Sequence, residues 1–362
     1  MKRTIKAIKY VLVGTTIFLV TVFVILESVR YFFQRESRQI NWIESANGID
    51  SMELVRLGGM DQWIYIRSED KNKPILLFLH GGPGSPEMPM AVKQFQGKLE
   101  KEFVIVHWDQ RGAGKSYSSD QNVDRFTMDD YVFDTVVLTQ LLLKRFGKQK
   151  LYLVGHSWGS ALGLTVISRF PQYYHAYIGI GQVTNMMRGE KLSYRFVLEE
   201  SRRRGEMEIA AKLESMGEPP YANFSDLGYE RGLVNRYGGG IHKETNPMLM
   251  IARFYFSFPG YNTIDILYRF PTGAFRSLNG LWPWIQNVDL FKEVPQVAIP
   301  VYFCTGRYDN TVPSSLTYEY FLHLKAPKKK FIWFEESAHS PNFEEADKFY
   351  RVMMEDVLQG KN

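Results

Sequence analysis

The stretch that decides the fold is Leu151-Tyr152-Leu153-Val154-Gly155-His156-Ser157-Trp158-Gly159-Ser160-Ala161. Its four leading apolar residues read as a short buried strand. Gly-x-Ser-x-Gly comes next, then small residues that open a helix. In that context a sharp strand-to-helix turn lifts the Ser157 hydroxyl out beyond the end of a sheet. Glycine is required at 155 and 159 because a side chain there would meet the neighbouring strand or helix, and because a strained turn favours glycine.

Outward from this turn, apolar runs and helical spacing alternate. Residues 52–57 and 63–67 flank Gly58-Gly59 and read as a hairpin at a sheet edge. Ile75-Leu76-Leu77-Phe78-Leu79 is continuously apolar, the pattern of a strand buried on both faces, and 103–106 is the next such run. Between 128 and 146, Tyr131, Val132, Thr135, Val136, Leu138 and Leu142 recur at helical spacing. Further strands are expected at 176–180, 301–305 and 331–334. Such alternation predicts a mostly parallel sheet with helices on both faces. It breaks between Thr184 and Leu290, where long helical patterns and Gly238-Gly239-Gly240 predict a helical insertion above the sheet. Residues 254–284 hold 10 aromatics in 31 positions, about twice the chain's 15%. That excess predicts that some of them line a cavity, since ligand pockets are mostly apolar and aromatic.

The 362 residues, 45% hydrophobic and 23% charged, suffice for one large core with an insertion. The net charge of +5 comes without a long basic block outside the N-terminus and Arg202-Arg203-Arg204, which reads as a solvated helix face. Nucleic acid is therefore not an expected partner. A single cysteine, Cys304, excludes an internal disulfide, a Cys metal cluster and a Cys redox pair. The motifs call for no cofactor and no metal. Residues 1–9 carry Lys2, Arg3, Lys6 and Lys9, and residues 10–26 carry no charge, a 17-residue stretch at the short limit for crossing a bilayer. Ile25-Leu26-Glu27-Ser28-Val29-Arg30 offers no small-x-small cleavage site. The expectation is a cytoplasmic segment at 1–9, a retained transmembrane anchor at 10–26 and a spacer at 27–48. Beyond them, a core at 49–183 and 291–362 carrying the insertion 184–290 would lie outside the cytoplasm on the cell membrane.

A serine hydroxyl is a weak nucleophile until a base takes its proton, and the base needs an acid to orient it. After such a turn the acid and then the histidine come later in the chain. His339 lies in the polar loop Glu335-Glu336-Ser337-Ala338-His339-Ser340-Pro341 just past the last strand. His175, His242 and His323 fall before a strand, in the insertion and in a helix-like stretch. Asp309 comes after the 301–305 strand, on the side where ligands gather in such sheets. Glu335, Glu336 and Asp289 are weaker alternatives. The expected roles are Ser157 nucleophile, His339 general base and then acid, and Asp309 orienter. Two backbone N–H groups must meet the developing oxyanion. Trp158 should supply one, and Gly82, in the loop His80-Gly81-Gly82-Pro83-Gly84 after the 75–79 strand, the other. That loop lacks the lysine and spacing of a phosphate cradle.

The loop at 80–84, Trp108-Asp109-Gln110-Arg111-Gly112-Ala113-Gly114-Lys115-Ser116, the Ser157 turn, Gly306-Arg307-Tyr308-Asp309 and His339-Ser340-Pro341 together resemble the proline iminopeptidase-type α/β hydrolases, in the same order. The resemblance runs from about residue 50 to the end. It implies the α/β-hydrolase fold, with a mostly parallel eight-stranded sheet, a helical cap at the insertion, and 109–112 supporting the oxyanion loop. Two departures stand out. The family binds the substrate's α-amine with cap glutamates, one in a Glu-Asn-His-Tyr-Phe stretch, whereas Ile251-Ala252-Arg253-Phe254-Tyr255-Phe256 has no acid; Trp282-Pro283-Trp284-Ile285 also lacks the expected Glu. Glu230 and Glu244 are the candidate substitutes. In addition, His156 stands where typical members carry Gly. The expected activity is a membrane-anchored serine hydrolase of aminopeptidase type that cleaves the N-terminal residue of a small peptide or amide through an acyl-enzyme on Ser157. A carboxylesterase or thioesterase acting on a small apolar ester is the alternative.

Overall fold

The computed structural model describes residues 2–360 apart from Ala222, Glu244 and Thr245. Eight strands form one sheet: β1 (Ile49–Leu57), β2 (Met60–Ser68), β3 (Ile75–Leu79), β4 (Val104–Asp109), β5 (Leu151–His156), β6 (Tyr174–Ile180), β7 (Val301–Gly306) and β8 (Lys329–Phe334). Their order across the sheet is β1-β2-β4-β3-β5-β6-β7-β8. The β1/β2 hairpin and the β2/β4 pair are antiparallel, and every other pairing is parallel. Successive strand residues point to opposite faces, so a strand covered on both sides must be apolar throughout. In β3, Ile75, Leu77 and Leu79 enter one core while Leu76 and Phe78 enter the other. That divided core explains the unbroken apolar run.

The chain's first element, α1 (Lys2–Ile40), is one helix long and apolar enough to cross a bilayer by length and composition, and residues 10–25 are all exposed. The segment expected to be a spacer is different in the structure. Residues 27–40 contain no Gly or Pro and continue α1 without a break. They dock on the body through Gln34, whose Nε2 donates to the carbonyls of Phe258 (2.9 Å) and Tyr261 (3.0 Å). The next helices, α2 (Met128–Phe146) and α3 (Trp158–Arg169), flank the sheet. Thr127 and Asp130 form a reciprocal capping box at the start of α2.

Beyond β6 the chain leaves the sheet through α4 (Met186–Arg203), α5 (Met207–Met216), α6 (Phe224–Arg236) and α7 (Pro247–Ser257). A π-helical turn, Asp265–Arg269, leads into α8 (Phe270–Ile285). These elements form the cap, with its own core around Tyr194, Val197, Leu213 and Val234. An antiparallel bridge between Asn185 and Asp289 closes the cap's base, and the Leu290 N–H donates to the Thr184 carbonyl at 2.7 Å. Tyr261 and Lys115 tie the cap to the core: the Tyr261 hydroxyl donates to Asp109 Oδ2 (2.5 Å) and Lys115 pairs with Asp265 (3.0 Å). The last helices, α9 (Ser314–His323) and α10 (Ala346–Val352), complete the core.

Candidate active site

Ser157 sits between β5 and α3 at φ 54°, ψ −120°, the one non-glycine residue with positive φ among the described residues. Such a conformation costs on the order of 1–3 kcal/mol and persists only where the surroundings enforce it. Here they do. A β-carbon on Gly159 would lie 2.1 Å from the Leu79 carbonyl oxygen, and one on Gly155 would lie 2.4 Å from that of Gly159. The Ser157 N–H is held by the Ile180 carbonyl at 2.9 Å.

Asp309, 1% exposed, lies in the loop after β7. Its Oδ1 accepts the N–H groups of Thr311 (3.0 Å) and Val312 (2.9 Å), which leaves Oδ2 to His339 Nδ1 at 2.9 Å. A carboxylate can only accept, so Nδ1 carries the proton of this bond, and Nε2 is the ring nitrogen left over. The His339 ring presses on Gly181, next after the Ile180 that holds Ser157: a β-carbon there would lie 2.6 Å from Cε1. The triglycine loop of the cap clasps both neighbours. Gly240 O accepts the His339 N–H (2.9 Å), and Gly239 O accepts the Asn310 N–H (2.9 Å). The sequence offered no role for that loop. Only its lack of side chains, which lets backbone meet backbone, could have suggested one.

Gly82 and Trp158 line a cavity of about 450 Å³ together with Ser157. Trp158 opens α3, so its N–H has no partner within the helix. Gln110 holds both the 80–84 loop and the start of α3. Its N–H donates to His80 Nε2 (3.1 Å), its amide donates to the His80 carbonyl (3.0 Å), and its Oε1 accepts from Trp158 Nε1 (3.0 Å). Burial lowers His80 to about 4, so the ring is neutral and its Nδ1–H donates to Gly81 O. Within the 109–112 stretch, then, Gln110 contacts the 80–84 loop, while Asp109 is directed to the cap.

The alternative acids and histidines lie elsewhere. Asp289 is at the cap's base, Glu335 pairs with Arg307 (2.8 Å) and Glu336 is exposed. His242 stacks on Tyr308, His323 bonds to the Phe291 carbonyl, and His175 lies against Tyr152.

Comparison with known proteins agrees with this architecture. A family model described as the α/β hydrolase fold matches residues 74–218. The probable aminopeptidase YbaC of Bacillus subtilis is 33% identical over 86% of this chain and 97% of its own length. The chain belongs to the proline iminopeptidase-type α/β hydrolases. A proline iminopeptidase of Saccharolobus solfataricus is 24% identical over 78% of this chain and 84% of its own length. The crystal structure of the Mycobacterium smegmatis proline iminopeptidase superposes with a TM-score of 0.60, at 18% identity, over 83% of this chain and 96% of that one.

Two further clusters adjoin the site in this α/β hydrolase. His156, the family departure, has a buried partner: Glu87 Oε1 lies 2.5 Å from its Nδ1, while its Nε2 faces the His339 carbonyl at 3.0 Å. Burial pushes the Glu87 carboxyl up, but the charge and hydrogen bond of His156 outweigh it and leave it below its ordinary 4.5. Burial pushes His156 down, and Glu87 more than offsets that, leaving it above 6.5. The two are an ion pair. A histidine fixed directly before Ser157 signalled that a partner was needed, but not which of 39 acids would supply it. The second cluster is in the cap. Arg231, from α6, lines the Ser157 cavity and pairs with Glu190; Glu230 lies 3.7 Å from its Nη1. Both glutamates are buried, and Glu190 Oε2 and both Glu230 oxygens lack a hydrogen-bond partner. Burial raises both, Glu230 to about 7. Glu230 was named from the sequence; Glu244, the other acid named, lies outside the described residues.

Proposed function

We propose that this hydrolase is a membrane-anchored serine aminopeptidase. Ser157 Oγ attacks the carbonyl after the substrate's N-terminal residue while His339 Nε2 takes its proton. The oxyanion is met by the N–H groups of Gly82 and Trp158. His339 then gives the proton to the departing amine, leaving an acyl-enzyme on Ser157. A water, deprotonated by His339, displaces the acyl group and restores the hydroxyl. Asp309 holds the ring in the required tautomer throughout and stabilises the imidazolium. The 10–26 segment of α1 crosses the bilayer, and the body lies on the far side from Lys6 and Lys9.

The observation that supports amine specificity is the Glu190–Glu230–Arg231 cluster, in which Arg231 lines the Ser157 cavity and the two buried glutamates lie against it. Once Glu230 is ionised, two carboxylates against one guanidinium leave an excess negative charge, and their unpartnered oxygens suit an N-terminal ammonium. One observation favours the esterase reading instead. Arg231 is the charged residue among those lining the cavity, and most of the others, such as Val183, Met186, Phe224, Leu278 and Trp282, are apolar. Assays of the full chain in detergent micelles on free and N-acetylated aminoacyl amides, beside matched alkyl esters, separate the two. The aminopeptidase reading expects at least about tenfold preference for the free amine, equivalent to about 1.4 kcal/mol. Equal rates on acetylated amides, or activity confined to esters, would establish the alternative.

A further inference from the structure

The register between α1 and the cap has a direction. Gln34 bonds to the Phe258 and Tyr261 carbonyls, Arg30 to the Tyr261 carbonyl at 3.2 Å, and Glu27 to the Thr263 hydroxyl. As α1 is traced back toward its uncharged segment, the cap residue it touches advances from 258 to 263. Ile264 therefore follows directly on the cap contact nearest to the end of the 10–26 segment. Glu27 and Arg30 lie within about 6 Å of that end, at 1.5 Å per residue. The headgroup layer on each side of the hydrocarbon is about 5–8 Å deep. On the membrane-anchored reading, its contact with Glu27 holds Thr263 at that depth.

Just past Thr263, a row of apolar side chains is left in solvent. Ile264 (59% exposed), Leu267 (55%), Tyr268 (48%) and Phe275 (63%) recur along the π-helical turn and α8, a stripe about 16 Å long at helical rise. Between Ile264 and Ile285 the sole acid is Asp265, which is buried and paired with Lys115 and Arg269. No exposed carboxylate on this segment opposes anionic headgroups, and the π-turn begins two residues past Thr263. Phe275 also lines the Ser157 cavity. Phe275 is thus shared by the exposed stripe and the Ser157 cavity.

Resting on the membrane-anchored reading above, we propose that the cap face 264–275 is seated in the headgroup layer of the bilayer, so that the catalytic cavity opens onto the membrane surface. The substrate class this favours is an amphiphile whose apolar part stays in lipid while its polar end reaches Ser157. Contiguous exposed apolar surface at the foot of a membrane helix is the kind that interfacial binding uses.

The test uses the full chain in nanodiscs of phosphatidylcholine and phosphatidylglycerol, labelled with a polarity-sensitive nitrobenzoxadiazole dye at one introduced cysteine. The native Cys304 is buried. Ile264→Cys and Leu267→Cys probe the stripe, and Ile25→Cys probes the anchor. Leu322→Cys, equally exposed on α9 at the β7–β8 side, is the control. The proposal expects the 264 and 267 labels to be blue-shifted and quenched by shallow spin-labelled lipid to within about twofold of the 25 label, with no quenching at 322. Quenching at 25 but not at 264 and 267 would overturn it and leave the anchor standing. A blue shift at 264 and 267 without lipid quenching would overturn it in favour of a protein partner or a second copy on the stripe. No quenching at 25 would remove the anchor reading and this inference with it.

Discussion

The Glu87–His156 pair permits a prediction in which two single substitutions have opposite pH dependence. In the native protein the Glu87 value is lowered, so its contribution to stability is present above 4.5 and is lost as pH falls through the folded value. The His156 value is raised, so its contribution is fully present below 6.5 and is lost as pH rises through the folded value. Both are in force between 4.5 and 6.5. His156→Gln keeps a hydrogen-bond donor but removes the cation, and the buried Glu87 must then take up a proton on folding. At pH 7 that means 2.5 pH units above its ordinary 4.5, and at 1.36 kcal/mol per unit the cost is about 3.4 kcal/mol. It should shrink by about 1.4 kcal/mol for each unit of acidification. Glu87→Gln does the reverse. The buried imidazole stays neutral while the unfolded one protonates below 6.5, so the cost grows on acidification, to about 2 kcal/mol at pH 5. Urea unfolding of the full chain in detergent micelles, monitored by tryptophan fluorescence from pH 5 to 7, measures both slopes. Flat or parallel profiles would mean that the contact is a neutral hydrogen bond, and the reasoning would fail.

Asp309→Asn should lower kcat by on the order of 10⁴ by favouring the wrong His339 tautomer, with folding retained; a near-normal rate would place the orienting acid elsewhere. Because burial raises Glu230 to about 7, its carboxylate forms as pH rises through that value. KM for free-amine substrates should therefore fall across pH 6–8 while KM for N-acetylated ones does not, and Glu230→Gln should abolish the difference. Removing residues 1–26 should release a soluble protein of unchanged turnover. Removing residues 1–40 also strips Gln34 from the Phe258 and Tyr261 carbonyls, Arg30 from the Tyr261 carbonyl and Glu27 from the Thr263 hydroxyl, and should cost at least about 2 kcal/mol in thermal unfolding.

Much of the sheet was legible because burial on both faces leaves a signature that survives without context: Ile75–Leu79 and the 128–146 helix are where the apolar runs and spacing put them. The Ser157 turn was legible for a steric reason, since only glycine fits at 155 and 159. Asp309 and His339 could be singled out because each lies just beyond the end of a parallel strand, where loops converge whatever their separation in the chain. The Glu87 partner of His156 obeys no such rule; it depends on how an irregular loop folds back over 69 residues. The continuation of α1 past residue 26 was missed for another reason. Charges at Glu27 and Arg30 ended the apolar run, yet those charges meet each other and the cap, so the helix had no cause to stop.

The Asn185–Asp289 bridge carries a consequence for how such a protein diversifies. Departure and return of a hundred-residue excursion are pinned side by side, so the reactive floor beneath experiences it as a closed loop. Lengthening, shortening or exchanging that loop need not shift the seam, and an ancestor's machinery can be handed new clientele by changing only the roof.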